Sequence, residues 1–98
     1  MIRNSKQRAY LKSLAMDMTP ILQIGKDGVS PDFINSVSQA LEARELIKIS
    51  VLKSCDDDVK ELVQTVSERT HSEVVQSIGR KIVLYKEGKE DKRRIILP

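Results

Sequence analysis

The feature that most constrains this 98-residue chain is a change of hydrophobic period with no linker between the two patterns. Ser30 and Pro31 form a helix start, an N-cap hydroxyl followed by a proline where a backbone N–H is dispensable. Ile34, Val37, Ala40 and Leu41 then supply a helical stripe that fades near Glu45. From Leu46 to Leu52 the pattern switches to period-two alternation with β-branched residues, which predicts a strand. Upstream, the apolar run from Ile21 to Ile24, bounded by Pro20 and Gly25, predicts another strand. A strand, a helix and a strand in so few residues require a parallel crossover, and its right-handedness puts the connecting helix on one sheet face.

The remaining elements extend this unit. Asn4 as N-cap with Gln7 three residues later has capping-box spacing and predicts a first helix from Ser5 to Met16, with Leu11, Leu14, Ala15 and Met18 toward a core. Asp56, Asp57 and Asp58 precede Val59, Leu62, Val63 and Val66, so carboxylates cap a third helix reaching about Thr70 and meet its dipole favourably. Val74 to Ile78 and Ile82 to Tyr85 predict a hairpin joined by Gly79, Arg80 and Lys81. The expected fold is α/β, a two-layer sandwich in the order α-β-α-β-α-β-β, with the second and third helices on one face. If Ile47, Ile49 and Val51 face those helices, then Lys48, Ser50, Gln23, Gln76 and Tyr85 leave the other face partly polar. One domain is expected over 1–98, with a mobile basic tail from about residue 88.

Composition excludes several classes of function. The single cysteine, Cys55, cannot form an internal disulfide, and Cys55 with the one histidine, His71, makes no zinc site, so no metal or cofactor is expected. Cys55 is expected to be a half-buried small side chain and His71 a helix-end residue. The acidic triplet lacks the calcium-loop pattern, and no nucleophile motif supports catalysis, so the expectation is not an enzyme. No run of about 18 apolar residues and no leader pattern occur, which predicts a cytoplasmic protein without a membrane segment. Three aromatics among 98 residues disfavour base stacking as the main recognition mode, although Tyr85 could make one such contact.

The net charge of +3 conceals an uneven distribution. Residues 1–26 carry five bases against one acid, residues 56–73 six acids against two bases, and residues 79–98 seven bases against three acids. The turn Gly25-Lys26-Asp27-Gly28 lies between a strand and a helix start, where backbone N–H groups and Lys26 together suit a phosphate. As a short G-x-x-G it also fits an ordinary surface turn, and neither the Walker nor the dinucleotide glycine pattern is present. Lys6, Arg8 and Lys12 on the first helix, Lys48 on the sheet, and Arg80 and Lys81 at the hairpin are further candidate phosphate contacts. Arg93 and Arg94 in the tail are weaker ones.

Several segments together resemble a YhbY-like CRM domain. These are Lys6-Gln7-Arg8 with Leu11-Lys12-Ser13-Leu14-Ala15, Pro20-Ile21-Leu22-Gln23-Ile24-Gly25-Lys26-Asp27-Gly28, Ala40-Leu41-Glu42, Glu45-Leu46-Ile47-Lys48, and the run from Val75 to Tyr85. The resemblance implies a fold similar to the C-terminal domain of translation initiation factor three, with a four-stranded mixed sheet whose last strand is antiparallel. It also implies RNA binding, with precursors of the large ribosomal subunit as the partner of bacterial stand-alone members. The GxxG loop and nearby basic surface would be the contact region, carrying over to Gly25, Lys26, Asp27 and Gly28 directly and to Lys6, Arg8 and Lys12 by position. Asp27 cannot help by charge, so backbone N–H groups and Lys26 would do the work. A monomeric ribosome assembly factor is the leading expectation. The competing one is a protein-interaction adaptor that reaches the ribosome through a protein partner.

Overall fold

The computed structural model describes residues 1–89 and 93–98. Its elements follow the expected order: α1 (Ser5–Met16), β1 (Leu22–Ile24), α2 (Pro31–Arg44), β2 (Leu46–Val51), α3 (Val59–Thr70), β3 (Glu73–Ile78) and β4 (Lys81–Tyr85). The helix starts are set by local hydrogen bonds. Asn4 Oδ1 accepts from the Gln7 N–H at 2.9 Å, Ser30 Oγ from Phe33 N–H at 3.1 Å, and Asp58 Oδ1 from Lys60 N–H at 2.9 Å. Helix α3 ends where His71 takes a left-handed conformation, and the N–H groups of His71 and Ser72 return to the carbonyls of Glu68 and Ser67. Helix α2 ends at Glu45, also at positive φ (63°), so the chain reverses and enters β2 at the next residue.

The sheet order is β1-β2-β4-β3. β1 is parallel to β2, and β4 is antiparallel to both β2 and β3, so the three strands that end crossovers or begin them run together with the last strand reversed between them. Period two then divides the sheet. Ile24, Ile47, Ile49, Val51, Ile82 and Leu84 pack with Val37 and Leu41 of α2 and Leu62, Val63 and Val66 of α3 in the larger core. The opposite face, expected to be partly polar, is covered at one end by α1. Leu11 and Ala15 of α1 bury Leu46, Val75, Val83 and Tyr85, joined by Ile2, Met18, Ile95 and Leu97. Helix α1 thus adds a partial third layer to the sandwich of sheet, α2 and α3.

Three side chains depart from the pattern read above. Leu14 remains 38% exposed, because α1 is a helix at the margin of the sheet and only Leu11 and Ala15 point squarely into the second core. Cys55 is buried rather than half-buried, packed into the larger core where β2 turns toward α3. Tyr85 is 1% exposed beneath α1.

The segment after β4 returns along the molecule, where a mobile tail was expected from about residue 88. The N–H groups of Gly88 and Ile95 donate to the two carboxylate oxygens of Glu45 at 2.8 and 2.9 Å, and Arg94 N–H joins them. Arg93 pairs with Glu87 at 2.9 Å, and the Pro98 carbonyl accepts from the Gln7 side chain at 3.1 Å. Glu90, Asp91 and Lys92, which belong to the expected tail, lie outside the described residues.

Candidate nucleic-acid interface

The C-terminal ends of the two parallel strands β1 and β2 lie side by side, and in open α/β sheets this is the end where connecting loops form ligand sites. Leu52 N–H donates to the Ile24 carbonyl at 2.8 Å as both strands leave the sheet. The chain then makes a tight turn, with Gly28 N–H bonded to the Gly25 carbonyl at 3.0 Å and Gly28 at φ 67°. A Cβ on Gly28 would stand 2.9 Å from Oδ2 of the exposed Asp57 side chain, which can swing aside, so it is the positive φ that calls for glycine there. A Cβ on Gly25 would meet only Leu52 Cδ1 at 3.7 Å and Ser54 Oγ at 3.8 Å, ordinary contacts. The two glycines of the loop therefore serve different purposes.

The β3–β4 hairpin reaches the same end. Val51 N–H donates to the Arg80 carbonyl at 2.7 Å, and Arg80 Nη1 donates to the Leu52 carbonyl at 3.0 Å. Three loops are thereby laced through Leu52: the Gly25 to Gly28 turn, the segment leaving β2, and the hairpin tip. Lys26, Lys53, Arg80 and Lys81 are exposed around them. Helix α2 begins beside this cluster, where Pro31 has no N–H and the Phe33 and Ile34 N–H groups are taken up by Ser30, so its start adds chiefly the favourable end of the helix dipole. Asp27 and Asp57 border the loop, so the favourable side for an anion is that of Lys26, Lys53 and Arg80.

The other sequence-derived candidates are distributed differently. Lys6 and Lys12 are exposed on α1. Arg8 turns inward, its Nη1 donating to the Val74 carbonyl and, at 3.3 Å, to that of Val75, where the register of β3 shifts. It satisfies carbonyls of an irregular edge strand, a structural task. Lys48 is half-buried on the same sheet face as Lys81, and its carbonyl accepts from Ile21 N–H at 3.0 Å. Tyr85, offered as a base-stacking contact, is covered by α1. Burial, then the nearby carboxylates of Glu45 and Glu87, push its hydroxyl up to about 12. Among the described residues no group of three or more His, Cys, Asp and Glu side chains is placed to hold a metal ion, and no helix is long and apolar enough to cross a membrane. Lys53 is the cation that sequence reasoning missed. Its signal was its place just beyond the end of a parallel strand, a position that becomes meaningful only once the β1–β2 pairing is known.

These features define a small α/β domain that presents a glycine turn and exposed cations around the carboxyl ends of paired parallel strands. Comparison with known proteins makes this specific. Residues 4–86 match the CRS1 / YhbY (CRM) domain model, and the chain belongs to that family. It is 48% identical over 88 residues to the "Probable RNA-binding protein YqeI" of Bacillus subtilis, covering 90% of this chain and 92% of that one. An "RNA-binding protein" of Haemophilus influenzae is 32% identical over 90 residues, covering 91% of this chain and 90% of that one. The solution structure of a hypothetical Staphylococcus aureus protein, described as a candidate RNA binder, superposes with a TM-score of 0.80 at 49% identity, covering 99% of this chain and 100% of that one.

Proposed function

We propose that this protein binds RNA without catalysing a reaction, and that its ligand is large-subunit rRNA within precursor ribosomal particles. The observation that carries the reading is the lacing of the glycine turn, Lys53 and Arg80 around Leu52, which concentrates phosphate-binding groups at one end of the sheet. Membership of the CRM family and the names of the bacterial relatives support RNA as the partner. The donor set is suited to phosphates rather than base edges, so recognition depends on RNA shape more than sequence.

The test is binding to protein-free large-subunit rRNA across a salt series. Direct phosphate contact gives a steep fall of affinity with salt, and Lys26→Ala reduces that slope by about one. Gly25→Asp places a carboxylate in the turn at the glycine that tolerates a side chain, and it weakens binding while the domain remains folded. A shallow slope unaffected by Lys26→Ala, with association only to particles that retain ribosomal proteins, would replace this reading with the adaptor one. Cross-linking to precursor particles then identifies the rRNA segment.

A further inference from the structure

The sheet face shared with α1 is not wholly covered. Helix α1 packs over Leu46, Val75, Val83 and Tyr85, toward the end where β2 begins and β4 finishes. At the other end, one row of residues crosses all four strands in register: Gln23 is paired with Ser50, Ser50 with Lys81, and Lys81 with Ile78. Val83 faces α1, so Lys81, two residues away, shares its face, and the cross-strand partners follow. Gln23 and Lys81 are exposed and Ile78 is 62% exposed. Ser50 is only 7% exposed, and its Oγ holds Lys81 Nζ at 2.9 Å.

This row has a defined chemistry. Neither it nor the next row, of Lys48, Val83 and Gln76, contains an acid, and both include a lysine. Ser50 pins the Lys81 ammonium over the middle of the sheet, so the cation is ordered before any ligand arrives. Gln23 offers an amide donor and acceptor at one side, and Ile78 offers an exposed apolar surface at the other. With strands about 4.8 Å apart, the row is roughly 14 Å across, and Gln23 lies roughly 7 Å along β1 from Gly25. A strand whose phosphate rests on the glycine turn would therefore bring its neighbouring sugars and bases over this row.

The geometry points to a second subsite, resting on the RNA-binding reading above. The row of Gln23, Lys81 and Ile78, with Ser50 as a positioning residue, receives the ribose and base of a short single-stranded RNA stretch whose phosphate is held at the glycine turn. The amide of Gln23 and the fixed ammonium of Lys81 match the 2′-hydroxyl, which is both donor and acceptor and distinguishes RNA from DNA. Ile78 supplies an apolar contact to a base where no aromatic side chain is exposed on this row. The glycine turn contributes affinity for either polymer, and the row contributes preference for RNA.

The test compares the full chain binding to single-stranded oligoribonucleotides of mixed sequence and to their deoxyribo counterparts. The wild-type protein favours the ribo form. Gln23→Ala combined with Ile78→Ser, both exposed positions, reduces the ratio of the two affinities by about five- to tenfold and leaves the salt slope unchanged. Ser50→Ala keeps the Lys81 charge yet also lowers the ratio, and Ser50→Thr restores it. Lys26→Ala weakens both polymers and preserves the ratio. If RNA binds with a slope that depends on Lys26 but the ratio is the same in wild type and row variants, the subsite is overturned and the RNA-binding reading stands. If neither polymer binds at low salt, and protein-free rRNA does not bind either, that reading falls and the subsite with it.

Discussion

Glu45 accepts the backbone N–H of Ile95 at 2.9 Å, joining the end of α2 to a segment 50 residues further along the chain. The same carboxylate takes Gly88 N–H at 2.8 Å and Arg94 N–H, and Glu45 is 1% exposed at positive φ. A charged acceptor serving several backbone donors is worth more than a neutral pair. Glu45→Ala therefore destabilises the protein by about 2 kcal/mol, measured by chemical denaturation. Trypsin cleavage at Arg93 and Arg94 accelerates in the same variant. Unchanged stability and unchanged cleavage would mean that the carboxylate does not hold the C-terminal segment.

The two glycines of the turn are separable by substitution. Gly28→Ala meets a left-handed backbone, while the exposed Asp57 side chain can move away from the new Cβ, and it costs about 1 kcal/mol. Gly79→Ala, at φ 56° with nothing within 4 Å, costs about 1 kcal/mol. Gly25→Ala leaves stability within about 0.5 kcal/mol of wild type yet weakens RNA binding, because the backbone there needs no glycine for folding and does need it for close approach of a phosphate. Equal stability losses at Gly25 and Gly28 would contradict this division.

Arg8 behaves as part of the fold. Arg8→Met removes the donor from the Val74 and Val75 carbonyls while retaining an apolar stem, and it lowers stability by about 1–3 kcal/mol. Its rRNA salt slope matches wild type, whereas Lys53→Ala and Lys26→Ala each reduce the slope by about one with little change in unfolding midpoint. A slope reduced by Arg8→Met at unchanged stability would move Arg8 back into the interface.

Tyr85 titrates late because its neutral hydroxyl is buried beside two carboxylates. The folded-state pKa of about 12 lies above the ordinary 10.0, so the unfolded chain releases this proton first as pH rises. Its contribution to stability is complete below about pH 10, declines between about 10 and 12, and is gone above that range. Tyr10→Phe leaves Tyr85 as the only tyrosine, and tyrosinate absorbance in that variant reads the transition directly. Titration in the ordinary range would show that the side chain is open to solvent, and would return it to the set of possible base contacts.

Much of the fold was legible locally. Helix α1 over Ser5–Met16, the Asp58 cap, the His71 terminus and the switch from α2 to β2 each depend on residues within a few positions of one another, and their structures follow the pattern. The polar residues Gln23, Lys48, Ser50 and Gln76 do share the sheet face that period two gave them, but Tyr85 on that face is buried, because the period assigns residues to faces without saying what covers a face. Burying Tyr85 and Val75 required α1 to fold across the sheet, a decision made by Leu11 and Ala15 packing with residues 60 or more positions away.

The site divides along the same line. The sequence by itself determined the element order, the cationic character of the N-terminal region, the glycine turn and the absence of a recognisable catalytic motif, since these rest on composition and on short-range hydrogen bonding. Only the tertiary structure decided which cations belong together. It turned Arg8 onto the edge of β3, brought Lys53 and Arg80 to the glycine turn through Leu52, and aligned Gln23, Ser50, Lys81 and Ile78 in one row. The reason is physical: charge is a property of a residue, but a binding surface is a property of distances, and strand register and packing set those distances across the whole chain.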